Sequence, residues 1–398
     1  MTSLESLADL DLVAGAAGLE ADTTELRRTI HQRPELGLQL PETQATILEA
    51  ITGLGLDVTL GEATTSVVAE LDTGRPGPTV LLRGDMDALP LQEDNDIPFK
   101  SQIDGAMHAC GHDAHVSMLV SAAKLLVDRK SELTGKVRFM FQPGEEGFHG
   151  ARYMVDEGVC DGVDRAFAIH VFCNIPDGMI VTRGGPLMAS ADRFEITIEG
   201  EGGHASAPHQ CLDPIPAAAA TVTGIHTMVG RAIDPTLSGL VTVGHLRAGT
   251  TNNIIPPDAF LEGTIRALDE DTRATLQESV VRVANGTAAA HNCSCNAEII
   301  AGYPVTVNDD AQAALTGAVT SAVLGANNYA EMPRPVLGAE DWSYVLQKVP
   351  GSMAFLGVSP PGVDPAKAAP NHSNLMTISE EKLHHGVALY AAMALVDG

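Results

Sequence analysis

The sequence predicts an α/β protein with a largely parallel sheet, and three observations support this. Up to about residue 185, short apolar runs rich in β-branched residues alternate with amphipathic helical segments. Runs of this kind are typical of strands that helices cover on both faces of a sheet. Further along, from about Ala191, the pattern changes to alternating strands. The chain of 398 residues is also longer than one ordinary core, which favours two domains.

The first segment is assigned from its periodicity, with helices where apolar residues recur every three or four positions and strands where apolar runs are short. In chain order the predicted elements are a helix in "TELRRTIHQRPELG", strands in "TSVVAEL" and "TVLLRGD", a helix in "AHVSMLVSAAKLL", and strands in "KVRFMFQ" and "RAFAIHV".

The second segment reads as a small domain of its own. Its predicted elements are a strand in "DRFEITIEG", a helix in "PIPAAAATVTGIHTMV", strands in "GLVTVGHL" and "AFLEGTIRAL", a helix over about 270–289, and a strand in "CNAEIIAG". The order β-α-β-β-α-β is the ferredoxin-like arrangement. We therefore expect an inserted domain over 188–302 that interrupts a main domain made of 1–187 and 303–398.

Charge and composition exclude several classes of protein. The 51 acidic and 24 basic side chains leave a formal net charge of −27, which disfavours binding to nucleic acid or to an anionic membrane. Most of the basic side chains are arginine, which either adaptation to a saline habitat or a biased base composition of the genome would explain. There is no apolar run of about eighteen residues and no basic region at the start of the chain, so neither a membrane span nor a secretory signal is expected. Six cysteines do not form a disulfide scaffold in a chain of this size, and a cytoplasmic location is predicted.

Side chains that bind metals or transfer protons occur where the predicted strands end. In an open α/β sheet, ligands bind beyond the carboxyl ends of the strands. The candidates are Asp85 and Asp87 in "RGDMDALP", the stretch "MHACGHDAH" (107–115), Glu145 and Glu146 in "QPGEEG", His170 in "RAFAIH", and His372 in "PNHSN".

Each of these features has an ordinary explanation when it is taken alone. An Asp pair or a Glu pair is common in turns, a single histidine is most often structural, and Cys110 could be a nucleophile, a disulfide partner or a metal ligand. Their shared position at one edge of one sheet favours a metal site. Thiolate and imidazole ligands suit Zn, Mn, Co or Ni better than Mg or Ca. Two ions that share a bridging ligand would account for the number of donors, and one carboxylate of the Glu145–Glu146 pair could then serve as a general base.

The chain resembles the M20 metallopeptidase family, in particular the amidohydrolase branch that contains hippurate hydrolases, auxin–amino-acid conjugate hydrolases and N-acyl-amino-acid amidohydrolases. The matching stretches follow one another in family order and span nearly the whole chain: "HQRPELG", "LLRGDMDALPLQE", "MHACGHDAH", "FMFQPGEEG", "AIHV", "GEGGHASAPH", "TNNIIPPDAFLEGTIR", "GAEDWSYV" and "NHS". In related branches a metal-binding histidine occupies the position of Asp85.

The resemblance implies a role for each site residue. It implies that two divalent transition metal ions are held by Cys110, His112, Glu146, His170 and His372, with Cys110 as the bridging ligand.

For catalysis, the resemblance implies that Glu145 is the general base and that Asp87 orients a ligand imidazole. It further implies that His204 stabilises the tetrahedral oxyanion, often in the partner subunit's site, and that Asn253 and Arg266 hold the substrate carboxylate.

No ligand role is implied for His108, Asp113 or His115, and we expect Asp113 to cap the helix that begins near Ala114.

The implied activity is metal-dependent hydrolysis of N-acyl amino acids, small-molecule substrates, to a carboxylic acid and a free amino acid. The implied assembly is a homodimer formed through the inserted lid domain. A dipeptidase or carboxypeptidase on the same scaffold is the nearest alternative. A non-catalytic binding module and a hydrolase with Cys110 as nucleophile are two others; the first predicts loss of Glu145, Glu146 or His372, and all three are present.

Overall fold

The computed structural model describes residues 3–396, and these form two compact units. The first unit runs to Leu187 and resumes over Val307–Arg334 and from Asp341 onward. The second consists of Met188–Thr306 and Pro335–Glu340.

Helices and strands alternate along the described chain. The helices are α1 (Leu4–Ala8), α2 (Leu12–Ala17), α3 (Glu20–His31), α4 (Pro41–Ile51), α5 (His112–Asp128), α6 (Gly150–Asp156), α7 (Pro214–Ala232), α8 (Glu270–Ala290), α9 (Asp310–Leu324), α10 (Ser343–Leu346) and α11 (Leu383–Leu395). The strands are β1 (Asp57–Leu60), β2 (Val67–Asp72), β3 (Thr79–Asp85), β4 (Lys136–Gln142), β5 (Arg165–Phe172), β6 (Ile180–Thr182), β7 (Gly185–Met188), β8 (Ala191–Glu199), β9 (Gly203–His204), β10 (Gly239–Ala248), β11 (Ile254–Ile255), β12 (Asp258–Ala267), β13 (Ser294–Tyr303), β14 (Thr306–Asn308), β15 (Tyr329–Glu331) and β16 (Gly351–Gly357).

The first unit is built on an eight-stranded sheet in the order β1-β2-β4-β3-β5-β16-β6-β15. The central strands β4, β3, β5 and β16 are parallel, as predicted. The sheet is nevertheless mixed, because β1 with β2, β2 with β4, and β16 with β6 pair antiparallel. Only residues 61–66 join β1 to β2, which allows a hairpin but is too short for a parallel crossover.

Helix α5 is buried along nearly its whole length. The sequence predicted one apolar face, but α5 packs against β3 on one side and against α3 and α11 on others. The first turn of α5 therefore lies in the interior, beside the carboxyl ends of β3, β4 and β5. The polar residues at these ends converge for the same reason, since parallel strands end on one edge of the sheet.

The second unit contains a four-stranded antiparallel sheet in the order β10-β12-β8-β13. Helices α7 and α8 contact each other and the strands of this sheet. The apolar core between sheet and helices includes Phe194, Ile196, Leu261, Ile265 and Leu276. A short ribbon of β9 and β11 continues the β8–β12 ladder past one end of the sheet.

Among residues 3–396, no helix combines the length and the apolar character that crossing a membrane requires.

Candidate metal centre

The adjacent glutamates lie in a tight turn after β4, and Asp87 holds that turn in place. The Asp87 carboxylate is buried and accepts two hydrogen bonds, from the backbone N–H of Glu145 and from that of Glu146, each 2.9 Å long. Gly144 and Gly147 adopt φ values of +69° and +89°, which side chains rarely tolerate and which the turn requires. Asp87 thus holds two consecutive carboxylates close to the donor atoms of His112.

Cys110 and His112 come from the loop before α5 and from its first residue. Gly111 between them has a φ of +89°, and a Cβ at this position would lie 2.3 Å from the Val171 side chain, so only glycine fits. His112 donates from Nδ1 to the Asp87 carbonyl at 2.9 Å. Its Nε2 therefore points away from Asp87 and lies 3.3 Å from Oδ2 of Asp85 and 4.0 Å from Oε1 of Glu146.

His170 and His372 come from the end of β5 and from the loop before α11, where backbone contacts position them. His170, near the end of β5, donates from Nδ1 to the Val171 carbonyl at 2.9 Å and places Nε2 3.3 Å from the Cys110 Sγ. His372 has a left-handed φ of +69° and donates its backbone N–H to the Ala109 carbonyl. Its Nε2 lies 3.2 Å from Oε1 of Glu146.

The five predicted metal ligands therefore form two overlapping triads. Cys110, His112 and His170 place their donor atoms within 4.8 Å of one another, and so do Cys110, Glu146 and His372. Cys110 belongs to both triads. Within residues 3–396 the buried Nε2 of His112 makes no hydrogen bond, although it lies 3.3 Å from Asp85 Oδ2, so it is available to bind a metal ion. The donor set of one thiolate, three imidazoles and one carboxylate suits a pair of divalent transition metal ions.

Burial and neighbouring charges shift the pKa values of these donor groups in different directions. Burial lowers the pKa of His170 well below its usual value, so this imidazole is neutral. Burial also raises the pKa of Cys110. Burial would raise the pKa of Glu146, but the hydrogen bond from His372 and the charge of His112 outweigh it and lower that pKa. Hydrogen bonds to Cys110 and Glu146 raise the pKa of His372 to about 10.

Glu145 lies beside the triads. It is 6% exposed, and a carboxylate oxygen lies within 4.8 Å of donor atoms of His112 and Glu146. A carboxylate at this position can exchange a proton with a water molecule bound beside the triads.

Asp85 was a candidate from its place after a strand but received no specific role, and His115 was given no ligand role; the structure places both next to His112. His115 Nδ1 lies 2.5 Å from Asp85 Oδ1, and Asp85 Oδ2 lies 2.8 Å from an Arg83 guanidinium nitrogen. Asn371 was also missed, although it precedes His372. It donates to the backbone carbonyls of Cys110 and Val171 at 3.1 and 2.9 Å. The spacing of residues along the sequence does not reveal hydrogen-bond partners of this kind.

The prediction that Asp113 caps α5 is wrong. The helix begins at His112 with Gly111 as its N-cap, so Asp113 lies inside the first turn. Its buried carboxylate instead contacts Arg27 Nε at 3.0 Å and His31 Nδ1 at 2.8 Å.

The second unit carries His204, Asn253 and Arg266. His204 is exposed on β9, where Nδ1 accepts from the Ser206 backbone N–H at 3.1 Å. Asn253 is close by, since its carbonyl accepts from the backbone N–H of Ala205 at 3.1 Å.

Arg266 lies far from these two residues within the unit. It is near the end of β12 that is remote from β11, and eight residues of strand, about 26 Å, separate it from Asp258. Its hydrogen bonds go to the Ile265 carbonyl and the Thr264 hydroxyl, both neutral. The two residues predicted to hold one carboxylate therefore do not converge within a single copy of this unit.

A mixed α/β sheet with acid, imidazole and thiolate donors at its strand ends is typical of metal-dependent hydrolases. Residues 81–396 match the model of peptidase family M20/M25/M40, and the chain belongs to this family.

Its relatives include amidases and peptidases. It is 39% identical to thermostable carboxypeptidase 2 of Saccharolobus solfataricus, over 93% of this chain and 94% of that protein. It is 38% identical to IAA-amino acid hydrolase ILR1-like 4 of Arabidopsis thaliana (93% and 84%) and 37% identical to N-acetyl-L-cysteine deacetylase of Bacillus subtilis (85% and 81%).

Among solved structures, the YXEP protein of Bacillus subtilis, described as a dinuclear metal-binding peptidase of the M20 family, superposes with a TM-score of 0.82. It is 32% identical, with 95% of this chain and 98% of that chain covered. The protein is therefore a hydrolase that acts on amide bonds.

Proposed function

We propose that this protein is a metal-dependent amidohydrolase that cleaves N-acyl amino acids to a carboxylic acid and a free amino acid. The observation that carries the proposal is the pair of triads that share Cys110, with Glu145 beside them. The relatives named as an IAA-amino acid hydrolase and as an N-acetyl-L-cysteine deacetylase support this substrate class, because both names describe an acyl group on an amino acid.

Two divalent ions are proposed at the triads, with Cys110 as the shared ligand. Zn, Mn, Co and Ni all suit thiolate and imidazole donors. When bound, the ions would polarise the scissile carbonyl and make a water molecule acidic enough to attack at neutral pH.

Glu145 is proposed as the general base. Its carboxylate takes a proton from the attacking water and returns it to the nitrogen of the leaving amine, so that no net proton is lost. The Asp87 carboxylate keeps Glu145 in position through its backbone N–H. Asp87 also lies 3.5 Å from Nδ1 of His112, and together with its own carbonyl it orients that imidazole.

The second unit is proposed as an inserted lid, close to the predicted 188–302, with the ferredoxin-like arrangement. Its strand order β10-β12-β8-β13 and its helices α7 and α8 support this assignment. We further propose a homodimer formed through this unit. The separation of Asn253 from Arg266 supports a composite site, in which His204 and Asn253 of one copy join Arg266 of the other.

Within that site, His204 would donate to the oxyanion of the tetrahedral state. Arg266 would bind the substrate carboxylate through its planar fork, and the two groups that it hydrogen-bonds in the described part of the chain are neutral. A reducing compartment remains a prediction, supported by the six cysteines, all of which are free thiols.

A carboxypeptidase or dipeptidase activity is the second candidate, and the similarity to thermostable carboxypeptidase 2 favours it. Both candidates need a free carboxylate next to the scissile amide, and they differ in the acyl side of the pocket.

The test compares benzoyl- and acetyl-amino acids with dipeptides, using protein stripped by chelation and reloaded with Zn, Mn, Co or Ni. We expect no hydrolysis after chelation, recovery with added metal, and a higher kcat/KM for acyl amino acids. Hydrolysis that survives chelation but is abolished both by thiol alkylation and by Cys110→Ser would establish Cys110 as a nucleophile instead. A higher kcat/KM for dipeptides would establish the peptidase alternative.

A further inference from the structure

The backbone N–H of Val171 is bound by a side chain where the sheet no longer provides a partner. Strand β3 pairs with β5 only from Val80 opposite Arg165 to Arg83 opposite Ala168, so β5 continues alone on that side. Val171 donates to Nε2 of His115 at 2.8 Å. An imidazole from α5 therefore takes the place that a neighbouring strand would occupy.

His115 is held in one tautomer. Because its Nε2 accepts from a backbone N–H, the proton is on Nδ1, which donates to Asp85 Oδ1. Asp85 in turn pairs with Arg83 through its other oxygen. All three side chains are completely buried, so the ring has little freedom to rotate.

This contact affects the position of His170 in the triad of Cys110, His112 and His170. His115 fixes the peptide that joins His170 to Val171, and His170 is tied to the same residue because its Nδ1 donates to the Val171 carbonyl. Together these bonds aim Nε2 of His170 at the Cys110 Sγ. A shift of this peptide would carry the His170 ring with it.

We propose that His115 is a positioning residue of the metal centre: it orients His170 through the Val171 amide, while Asp85 holds its tautomer. The inference deepens the proposed function and rests on it, since it requires that Cys110, His112 and His170 bind a metal ion. His115 itself is not a ligand, because both of its ring nitrogens are engaged in hydrogen bonds.

Two substitutions separate the two hydrogen bonds of His115. In His115→Gln the side-chain oxygen reaches the position of Nε2 and can still accept from Val171. In His115→Asn the shorter amide reaches the position of Nδ1, so it can still donate to Asp85 but leaves the Val171 N–H without an acceptor. His226→Asn, an exposed histidine on α7, is the matched control.

The experiment titrates metal-depleted full-length protein with Co²⁺ and follows the thiolate-to-cobalt charge-transfer band and the visible d–d bands. We expect His115→Asn to weaken Co²⁺ binding about 10- to 100-fold and to shift the d–d bands, the usual effect of losing a partner that orients a ligand. His115→Gln and the control should stay within about threefold of the unsubstituted protein.

Equal affinities and spectra for all four proteins would overturn the positioning role while leaving the proposed function intact. Equal losses in both His115 variants would also overturn it, because the Val171 contact would then not be the cause. If the unsubstituted protein shows no thiolate-to-cobalt band, the proposed function fails and this inference fails with it.

A measurement on the unsubstituted protein keeps the inference testable if His115→Asn does not fold. Nitrogen-15 NMR should show the Nδ1–H tautomer of His115 and slow exchange of the Val171 amide with solvent. An Nε2–H tautomer, or exchange as fast as that of exposed amides, would contradict the inference.

Discussion

Asp87 shows how one buried side chain organises several reacting groups. Its two carboxylate oxygens bind the backbone of Glu145 and Glu146, and its carbonyl binds His112. The base and two of the proposed ligands are therefore positioned by one residue. Resemblance assigned Asp87 to an imidazole alone, whereas the structure adds the turn that carries both glutamates.

Glu145→Gln tests the base at this scale. The amide keeps the size of the side chain but cannot accept the proton, so kcat should fall about 10²- to 10⁴-fold. Metal content, measured by atomic emission, should be unchanged, because Glu146 and not Glu145 belongs to the triads. Full activity in a variant that retains metal would exclude Glu145 as the base.

At the scale of the element, the junction between the Cys110 loop and α5 depends on Gly111. Its left-handed φ brings Cys110 and His112 to the same side, and the Val171 side chain fills the space where a Cβ would lie. The start of α5 and the end of β5 are therefore in contact at the point where each carries a ligand.

Gly111→Ala should destabilise the protein by about 2 kcal/mol or more, because the new methyl group adds a steric clash to the cost of the left-handed backbone. Gly53→Ala is the control, since Gly53 has a φ of +81° but nothing lies within 4 Å of a Cβ there. Denaturant unfolding should show the larger loss for Gly111→Ala, together with weaker metal binding. Equal losses for both variants would mean that the contact with Val171 does not matter.

At the scale of the whole molecule, a buried ionic cluster ties distant segments of the first unit together. Arg27 and His31 from α3 contact Asp113 in α5, His31 Nε2 lies 3.3 Å from Glu93, and Arg27 also pairs with Glu380. Burial lowers the pKa of His31, but Asp113 and Glu93 outweigh burial and the charge of Arg27, so the net shift is upward.

A raised pKa in the folded state makes this contribution to stability dependent on pH. It is fully present below the unfolded-state pKa of about 6.5 and is lost as the pH rises through the folded-state pKa. His31→Gln should therefore lower the free energy of unfolding by about 3–5 kcal/mol at pH 6 and by less at pH 9. Denaturant unfolding of both proteins across this range measures the difference, and a difference that does not vary with pH would contradict the assignment.

Metal binding should stabilise the first unit as a whole, since its proposed ligands come from the ends of two strands, β4 and β5, from the start of α5 and the loop before it, and from the loop before α11. An ion at 100 times its Kd adds about 2.7 kcal/mol for each site. Unfolding of chelated protein, with and without added Zn or Mn, should show this gain. A Cys110→Ala control should lose most of it, because both triads share this residue.

The sequence by itself determined which residues are available for the chemistry and on which strand ends they lie. The period of the apolar runs placed β3, β4, β5 and α5 within a few residues of their observed bounds. Since parallel strands end on one edge, the convergence of Glu146 and His170 followed from topology.

Only the tertiary structure decided how those residues are held, because each decisive contact joins parts of the chain that are far apart in sequence. Asp113 illustrates this: its position before a helical run predicted a cap, but burial beside Arg27 and His31 makes it an ion-pair partner instead. His115 and Asn371 are further cases, since hydrogen bonds to the Val171 backbone depend on where β3 leaves β5. The spacing of residues along a chain records local geometry, whereas the direction of a ring nitrogen is set by what packs behind it.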